Sequence, residues 1–349
     1  MIKLPEIDQQ YLLSKLQDLL HIPSPTGYAD QAIAYLEEEL AIYPGISSRR
    51  NAKGALLANW TGDLKTSPRG LTAHVDTLGA MVKEIKGNGR LKLTQLGSYA
   101  WNTIEGEGCT VLSSRGEPVR GAVLLQKSSV HVYGKDVRTT ERSEDTLEVR
   151  LDLASSSKEE TRQAGIEVGD FVVFDPRVEI NQGFIRSRHL DDKACVACLL
   201  AAIGALHQVE LQPAQDTTLH FSNYEEVGHG ASTGFPEGIR ELVAVDMAAV
   251  GEGQNSDEFH ATLCVKDSGG PYHHGLSQRL RSLAEDYELP YKVDTYPHYG
   301  SDGEAYWRAG GDVAVALIGP GVDASHSYER THLDALLATT RWIMAYLLN

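Results

Sequence analysis

Two adjacent carboxylates, Glu225 and Glu226, follow an apolar run, Thr218-Leu-His-Phe221, and precede a glycine-punctuated turn, Gly228-His-Gly230. Where a strand ends, consecutive side chains point in different directions. One carboxylate can then bind a cation while its neighbour faces a substrate or a water. Two like charges side by side resist burial unless a cation compensates them. Further metal-competent residues stand where other apolar runs end: His74 and Asp76, the pair Asp191-Asp192, Asp246 and His326. Imidazole with carboxylate suits Zn2+, Co2+ or Mn2+ better than Mg2+. One carboxylate bridging two ions, with one histidine and one acid on each, makes a two-metal hydrolase. In His74-Val-Asp76, an acid two residues along can accept the second N–H of the imidazole and fix its tautomer.

Such side chains need a scaffold that delivers several strand ends to one place. Residues 8–20 and 28–42 carry apolar groups at helical spacing, with Ala32, Ile33, Leu36 and Leu40 on one stripe of the second. Residues 51–60 predict a hairpin or strand, and 70–79 a short strand that delivers His74 and Asp76. From 81 to 184 the texture changes to short alternating segments separated by Gly, Pro and charged turns, such as Leu147-Glu-Val-Arg-Leu151 and Asp170-Phe-Val-Val-Phe174. That pattern predicts a small β-barrel or sandwich. Helix and strand then alternate again: helices over 194–208, 276–287 and 333–348, strands over 217–221, 241–246 and 313–318. Alternation of this kind predicts a largely parallel sheet flanked by helices, with sites at the carboxyl ends of the strands. The expected architecture is an α/β domain of residues 1–80 and 185–349, interrupted by a β-rich insertion, 81–184.

Bulk properties narrow the partners. The 349 residues carry 32 basic and 48 acidic side chains, a net charge of −16. A nucleic-acid or anionic-membrane partner would require basic patches, so neither is expected. No apolar run approaches membrane-spanning length, and Met1-Ile-Lys-Leu-Pro-Glu-Ile-Asp8 lacks the pattern of a signal peptide. The four cysteines, 109, 195, 198 and 264, are too few for a disulfide framework in a chain this long. Cys195-Val-Ala-Cys198 falls in an Ala/Leu-rich helix and reads as small buried residues. A cytoplasmic, reducing setting is expected.

Together, Ala73-His-Val-Asp-Thr-Leu-Gly-Ala-Met-Val, His189-Leu-Asp-Asp-Lys-Ala, Glu225-Glu-Val-Gly and Val245-Asp-Met resemble the tetrahedral (TET)-type aminopeptidases. These are co-catalytic metallopeptidases that include glutamyl and deblocking aminopeptidases and relatives named endoglucanases. The resemblance implies a zinc-peptidase-like α/β fold with an inserted β-barrel for assembly or dimerisation. It implies an aminopeptidase that cleaves the N-terminal residue of peptides with two divalent ions, Zn2+ first and Co2+ or Mn2+ as alternatives. His74 and Asp246 would bind one ion, Glu226 and His326 the other, and Asp191 would bridge them. Glu225 would be the general base acting on a metal-bound water, and Asp76 would orient His74. Gly300-Ser-Asp-Gly303 is similar to a loop near the family's substrate site, which makes Asp302 a substrate contact. The family assembles as dimers and dodecamers, so a homo-oligomer is expected.

The chain also departs from the family pattern. Asp192 competes with Asp191 as the bridge, and His332 is the alternative to His326. His229 stands where relatives carry a bulky apolar or basic residue, which makes it a second candidate substrate contact. The chain is also similar to a subgroup associated with the osmoprotectant N-acetylglutaminylglutamine amide. That likeness implies an alternative reaction, deacylation or amide hydrolysis of a small capped Gln-containing dipeptide. A glycosidase would need its two carboxylates on separate elements flanking a sugar. Here they are adjacent, and the histidines would be idle.

Overall fold

A computed structural model of the chain describes residues 2–349. The chain folds as two compact units, one formed by the residues up to Asp76 together with Val178–Asn349, the other by Thr77–Arg177.

The first unit is a mixed sheet flanked by helices. Its centre is parallel: Gln215–Ser222 pairs with Leu64–His74, Leu64–His74 with Glu241–Val245, and Glu241–Val245 with Ala314–Val322. These strands are apolar along their buried length (Leu71, Ala73, Val243, Val245, Ile318), as expected of parallel strands covered on both faces. Antiparallel strands complete both sides, Leu56–Trp60 and Ile46–Arg50 on one and Ala261–Asp267 on the other. The helix Leu190–Gln208 is buried almost throughout between Ala194 and Leu206, because it is apolar on every face. It shares one core with Leu12, Leu16 and Leu19 of the helix Gln9–His21 and with Trp342 and Ile343 of Leu333–Leu348.

Local signals set the helix ends. Asp8 caps the first helix by accepting the amides of Gln10 and Tyr11 at 2.9 and 3.0 Å. At its other end the buried ammonium of Lys193 donates to the carbonyls of Leu19 and Ile22 at 2.8 and 2.7 Å, satisfying groups that a helix leaves open.

The second unit is a closed six-stranded antiparallel barrel. Its strands run in the order Gly79–Ile85, Leu91–Leu96, Leu147–Leu151, Val119–Leu125, Gly108–Leu112 and Phe171–Phe174, which returns to the first. Closure leaves no free strand edge. Val82, Leu93, Val111, Val123, Val149 and Val172 fill the interior. This is the inserted β-barrel expected from the alternating segments. The barrel unit spans 77–177 rather than 81–184. Gly79–Ile85 is already a barrel strand, whereas Glu179–Asn181 and Phe184–Ser187 form a three-stranded sheet with Glu329–His332 in the first unit.

One buried group gives the first unit a pH dependence. His220 is fully buried in the strand Gln215–Ser222 against Phe235, its Nδ1 3.3 Å from the Thr72 hydroxyl. Burial, reinforced by the charges of Lys53 and Arg49, pushes its pKa down to about 3. The unfolded chain therefore binds a proton there more readily than the folded one. The stability contribution is complete above the ordinary histidine range, near 6.5, and is lost as pH falls towards 3. His220→Phe should remove that loss. Between pH 6.5 and 4.5, the fall in unfolding free energy read from urea titrations should be smaller in the variant, by up to about 1.4 kcal/mol per pH unit. Parallel pH profiles of the two proteins would exclude His220 as the source.

Candidate functional site

Strand register brings the chemistry together. His74 is the last residue of its strand and pairs with Ser222, three residues before Glu225. Asp246 directly follows Val245, the end of the next parallel strand. A Cβ on Gly319 of the neighbouring strand would overlap the Asp246 carbonyl, so that position admits only glycine.

Five side chains form two overlapping groups: His74, Asp191 and Asp246, and Asp191, Glu226 and His326. Within each, the candidate ligand atoms lie within 4.8 Å of one another. Asp191 belongs to both. Its Oδ1 is 3.1 Å from His74 Nε2, and its Oδ2 is 3.4 Å from His326 Nε2. Glu226 Oε2 is 3.5 Å from the same His326 nitrogen. Irregular backbone presents them. Asp191 and Asp192 have non-helical angles at the start of Leu190–Gln208, while His189, Tyr224 and His326 adopt positive φ. Non-glycine residues in that region cluster at functional sites.

The alternatives lie elsewhere. Asp192 Oδ2 accepts the backbone N–H of His74 at 3.2 Å, and Asp192 is in neither group. His332 Nδ1 accepts the amide of Asp334 at 3.1 Å, capping the last helix, with its ring among Phe184 and Phe259.

Asp76 meets His74 through its main chain more closely than through its carboxylate. The Nδ1–H of His74 donates to the Asp76 backbone carbonyl at 2.9 Å, which leaves Nε2 facing Asp191. The Asp76 carboxylate, 3.7 Å from Nδ1, is taken up by other donors. They are the Thr26 hydroxyl at 2.7 Å and the backbone N–H groups of Glu225 and Glu226 at 3.2 and 3.3 Å. Asp76 therefore fixes the turn from which both glutamates project. A two-residue spacing cannot tell side chain from main chain, which is why the sequence suggested the carboxylate.

Charge at the site is poorly compensated by the protein alone. Burial and neighbouring acids push Glu226 up to about 8 and Asp246 up to about 7. Burial raises Glu225 well above the carboxylate range, although the His74 charge opposes it. Against the effect of its own burial, hydrogen bonds from His326 and His74 hold Asp191 below the usual range. Glu226 Oε1 is buried without a hydrogen-bond partner among the described residues. Crowded, buried carboxylates with an orphaned oxygen and two imidazole nitrogens fit divalent cations.

Glu225 stands in neither group. Its Oε2 is 3.8 Å from His74 Nε2, and its side chain lines a cavity of about 510 Å³ together with Asp191, Glu226, Asp246 and His326. The facing wall includes Met247, His298, Tyr299, Ser301, Glu304 and Arg308. Glu304 is paired with Arg308 at 2.9 Å. Of this wall, the sequence marked the loop 300–303, which contributes Ser301, while His298, Tyr299, Glu304 and Arg308 carried no pattern of their own.

The two expected substrate contacts are not on the cavity wall. Asp302 is 3% exposed and fully engaged by the scaffold. It accepts the hydroxyls of Thr72 (3.2 Å) and Ser222 and the amide of Ala231 (2.6 Å). Its neighbours Ser301 and Glu304 line the cavity instead. His229 is exposed and stacked on Tyr224, with ring centroids 5.2 Å apart. Glu329, which carried no sequence signal, is 1% exposed and accepts the amides of both Asp191 and His326 at 3.1 Å. It ties together the backbones of two members of the site.

A family model described as M42 glutamyl aminopeptidase matches residues 54–341. YhfE of Bacillus subtilis (strain 168), an aminopeptidase by name, is 46% identical over 332 residues, 95% of each chain. The lysyl aminopeptidase of Pyrococcus furiosus is 22% identical over 320 residues, 89% of each chain. Among solved structures, a TET aminopeptidase from a marine sediment Thaumarchaeota archaeon superposes with a TM-score of 0.87 at 17% identity, over 96% of each chain. The TET1 peptidase of Pyrococcus horikoshii, whose description says that it can assemble into a tetrahedron or a large octahedral shell, gives 0.84 at 21%, over 97% of this chain and 99% of that one. At these identities the two structural likenesses concern the fold.

Proposed function

The chain belongs to the M42 glutamyl aminopeptidase family and is a peptide-bond hydrolase, and from that premise we propose that it removes the N-terminal residue of peptides with the help of two divalent ions. His74 and Asp246 would hold one ion, Glu226 and His326 the other, and Asp191 would serve both. Zn2+ suits this donor set best, with Co2+ or Mn2+ as alternatives. When bound, the pair supplies Lewis-acid polarisation of the scissile carbonyl and a water of lowered pKa. The protein's own part is proton transfer and positioning. Glu225 takes the proton of the attacking water and returns it to the leaving amine. Asp76 fixes the turn that carries Glu225 and Glu226, and the Asp76 carbonyl sets the tautomer of His74. The observation that carries this reading is the disposition of Asp191, one oxygen towards each histidine, with Glu225 at the cavity edge outside both groups.

The test compares free-amine aminoacyl anilides with acetyl-capped dipeptides on metal-loaded protein. Turnover of the free-amine set is expected. Hydrolysis confined to the capped set would move the assignment to a deacylase acting on small capped Gln-containing dipeptides. We further propose that the chain self-associates, from dimer up to dodecamer, with the barrel unit as its assembly surface. Val130, Val132 and Tyr133 expose apolar side chains on that unit. Light scattering on the same preparation reads this directly, and the mass of a single 38.1 kDa chain would refute it.

No helix among the described residues is long and apolar enough to cross a membrane. A cytoplasmic setting remains our proposal, and fractionation of cells that express the chain tests it.

A further inference from the structure

Lys53 lies in the turn joining the strands Ile46–Arg50 and Leu56–Trp60, more than 170 residues before the turn that carries Glu225 and Glu226. The turn is well fixed. Asn51 Oδ1 accepts the amides of Lys53 and Ala55 at 2.9 and 3.0 Å, and Asn223 Nδ2 donates to the Lys53 carbonyl at 3.3 Å. The Lys53 ammonium reaches into the segment just beyond the two glutamates. It donates to the His229 carbonyl, to the Gly230 carbonyl at 2.9 Å and to Ser232 Oγ at 3.0 Å, with His229 Nδ1 3.1 Å away. An ammonium has three donors, and every acceptor here belongs to residues 229–232. Burial lowers the Lys53 pKa, so the contact is kept against a desolvation cost.

The same segment is also held by Asp302, which accepts the Ala231 amide at 2.6 Å. It is also folded back onto Glu225. The amides of Gly228 and His229 donate to the carbonyls of Glu225 and Tyr224 at 2.6 and 3.1 Å. A Cβ on Gly230 would lie 3.0 Å from the Glu225 Cα and would overlap Asp302. A shift of residues 229–232 therefore displaces the backbone of Glu225.

We propose that Lys53 is a positioning residue for Glu225, clamping residues 229–232 against Asp302 so that the glutamate keeps its place at the cavity edge. The proposal rests on the reading of Glu225 as the proton carrier. Lys53 touches neither group of candidate ligands, so its removal acts on the rate and not on metal content.

The test uses the metal-loaded enzyme and a free-amine anilide. Lys53→Met should lower kcat about ten- to a hundredfold with KM changed less than about twofold, since small misplacements of a catalytic group cost that much. Metal content and thermal midpoint should match the parent. Lys53→Cys should be equally slow, and alkylation with 2-bromoethylamine, which forms a thioether carrying a new ammonium, should restore most of kcat. The four native cysteines are buried, so the reagent reports on position 53. Parental kcat in K53M, loss of metal, or no recovery on aminoethylation would each overturn the proposal. Retained turnover in Glu225→Gln would instead remove the reading of Glu225 on which it stands.

Discussion

Glu225→Gln should lower kcat about 10²- to 10⁴-fold, the usual worth of a positioned general base, and leave the metal content of the protein unchanged. The substitution keeps the shape of the side chain and its place at the cavity edge but removes its ability to accept a proton. Glu225 belongs to neither group of candidate ligands and approaches the cluster only through a 3.8 Å contact with His74 Nε2. Its backbone N–H to Asp76 is untouched by the change, so the turn should hold. The informative comparison is with Glu226→Gln, one residue along the same turn. Glu226 is in the second group, and its replacement should cost metal as well as rate. Metal analysis beside steady-state kinetics separates the two. If E225Q kept more than a tenth of the parental kcat, or lost an ion, Glu225 could not be the proton carrier.

That neighbouring glutamates take different parts could be anticipated from the strand exit, because side chains there diverge. What could not be anticipated was the agent that makes them diverge. Asp76 meets His74 through its carbonyl, and its carboxylate is aimed at two amides some 150 residues away in the chain. The strand endings were readable as apolar runs closing on His74, Asp246 and Glu225-Glu226. Their convergence depends on register, Ser222 opposite His74 and Val245 opposite Ile318, and register is a long-range property without a local pattern. The barrel was legible from its short alternating strands, but its limits were displaced by a few residues, because Gly79–Ile85 continues the chain directly beyond His74 with only a short break. Asp302 was placed near the substrate by its loop. The loop does reach the cavity, through Ser301 and Glu304, while the aspartate itself turns inward to Thr72, Ser222 and Ala231. Direction of a side chain, more than its position, is what the sequence withheld.

Asp191→Ala is expected to remove both ions and all measurable turnover, whereas His326→Ala should leave one ion behind. Asp191 is the single residue common to the two groups, with one carboxylate oxygen towards each histidine. Without it, His74 and Asp246 on one side and Glu226 and His326 on the other are two protein ligands each, fewer than the three that catalytic zinc sites retain. Removing His326 leaves His74, Asp191 and Asp246 complete. Asp192 supplies the control. It is buried beside Asp191 but accepts the His74 amide and belongs to neither group, so Asp192→Asn should keep two ions per chain. Stripping each variant with a chelator, reloading with Zn2+ and counting bound metal by mass spectrometry gives the stoichiometry directly. Two ions in D191A, or none in D192N, would transfer the bridging role to Asp192 and with it the geometry from which Glu225 is read as the base.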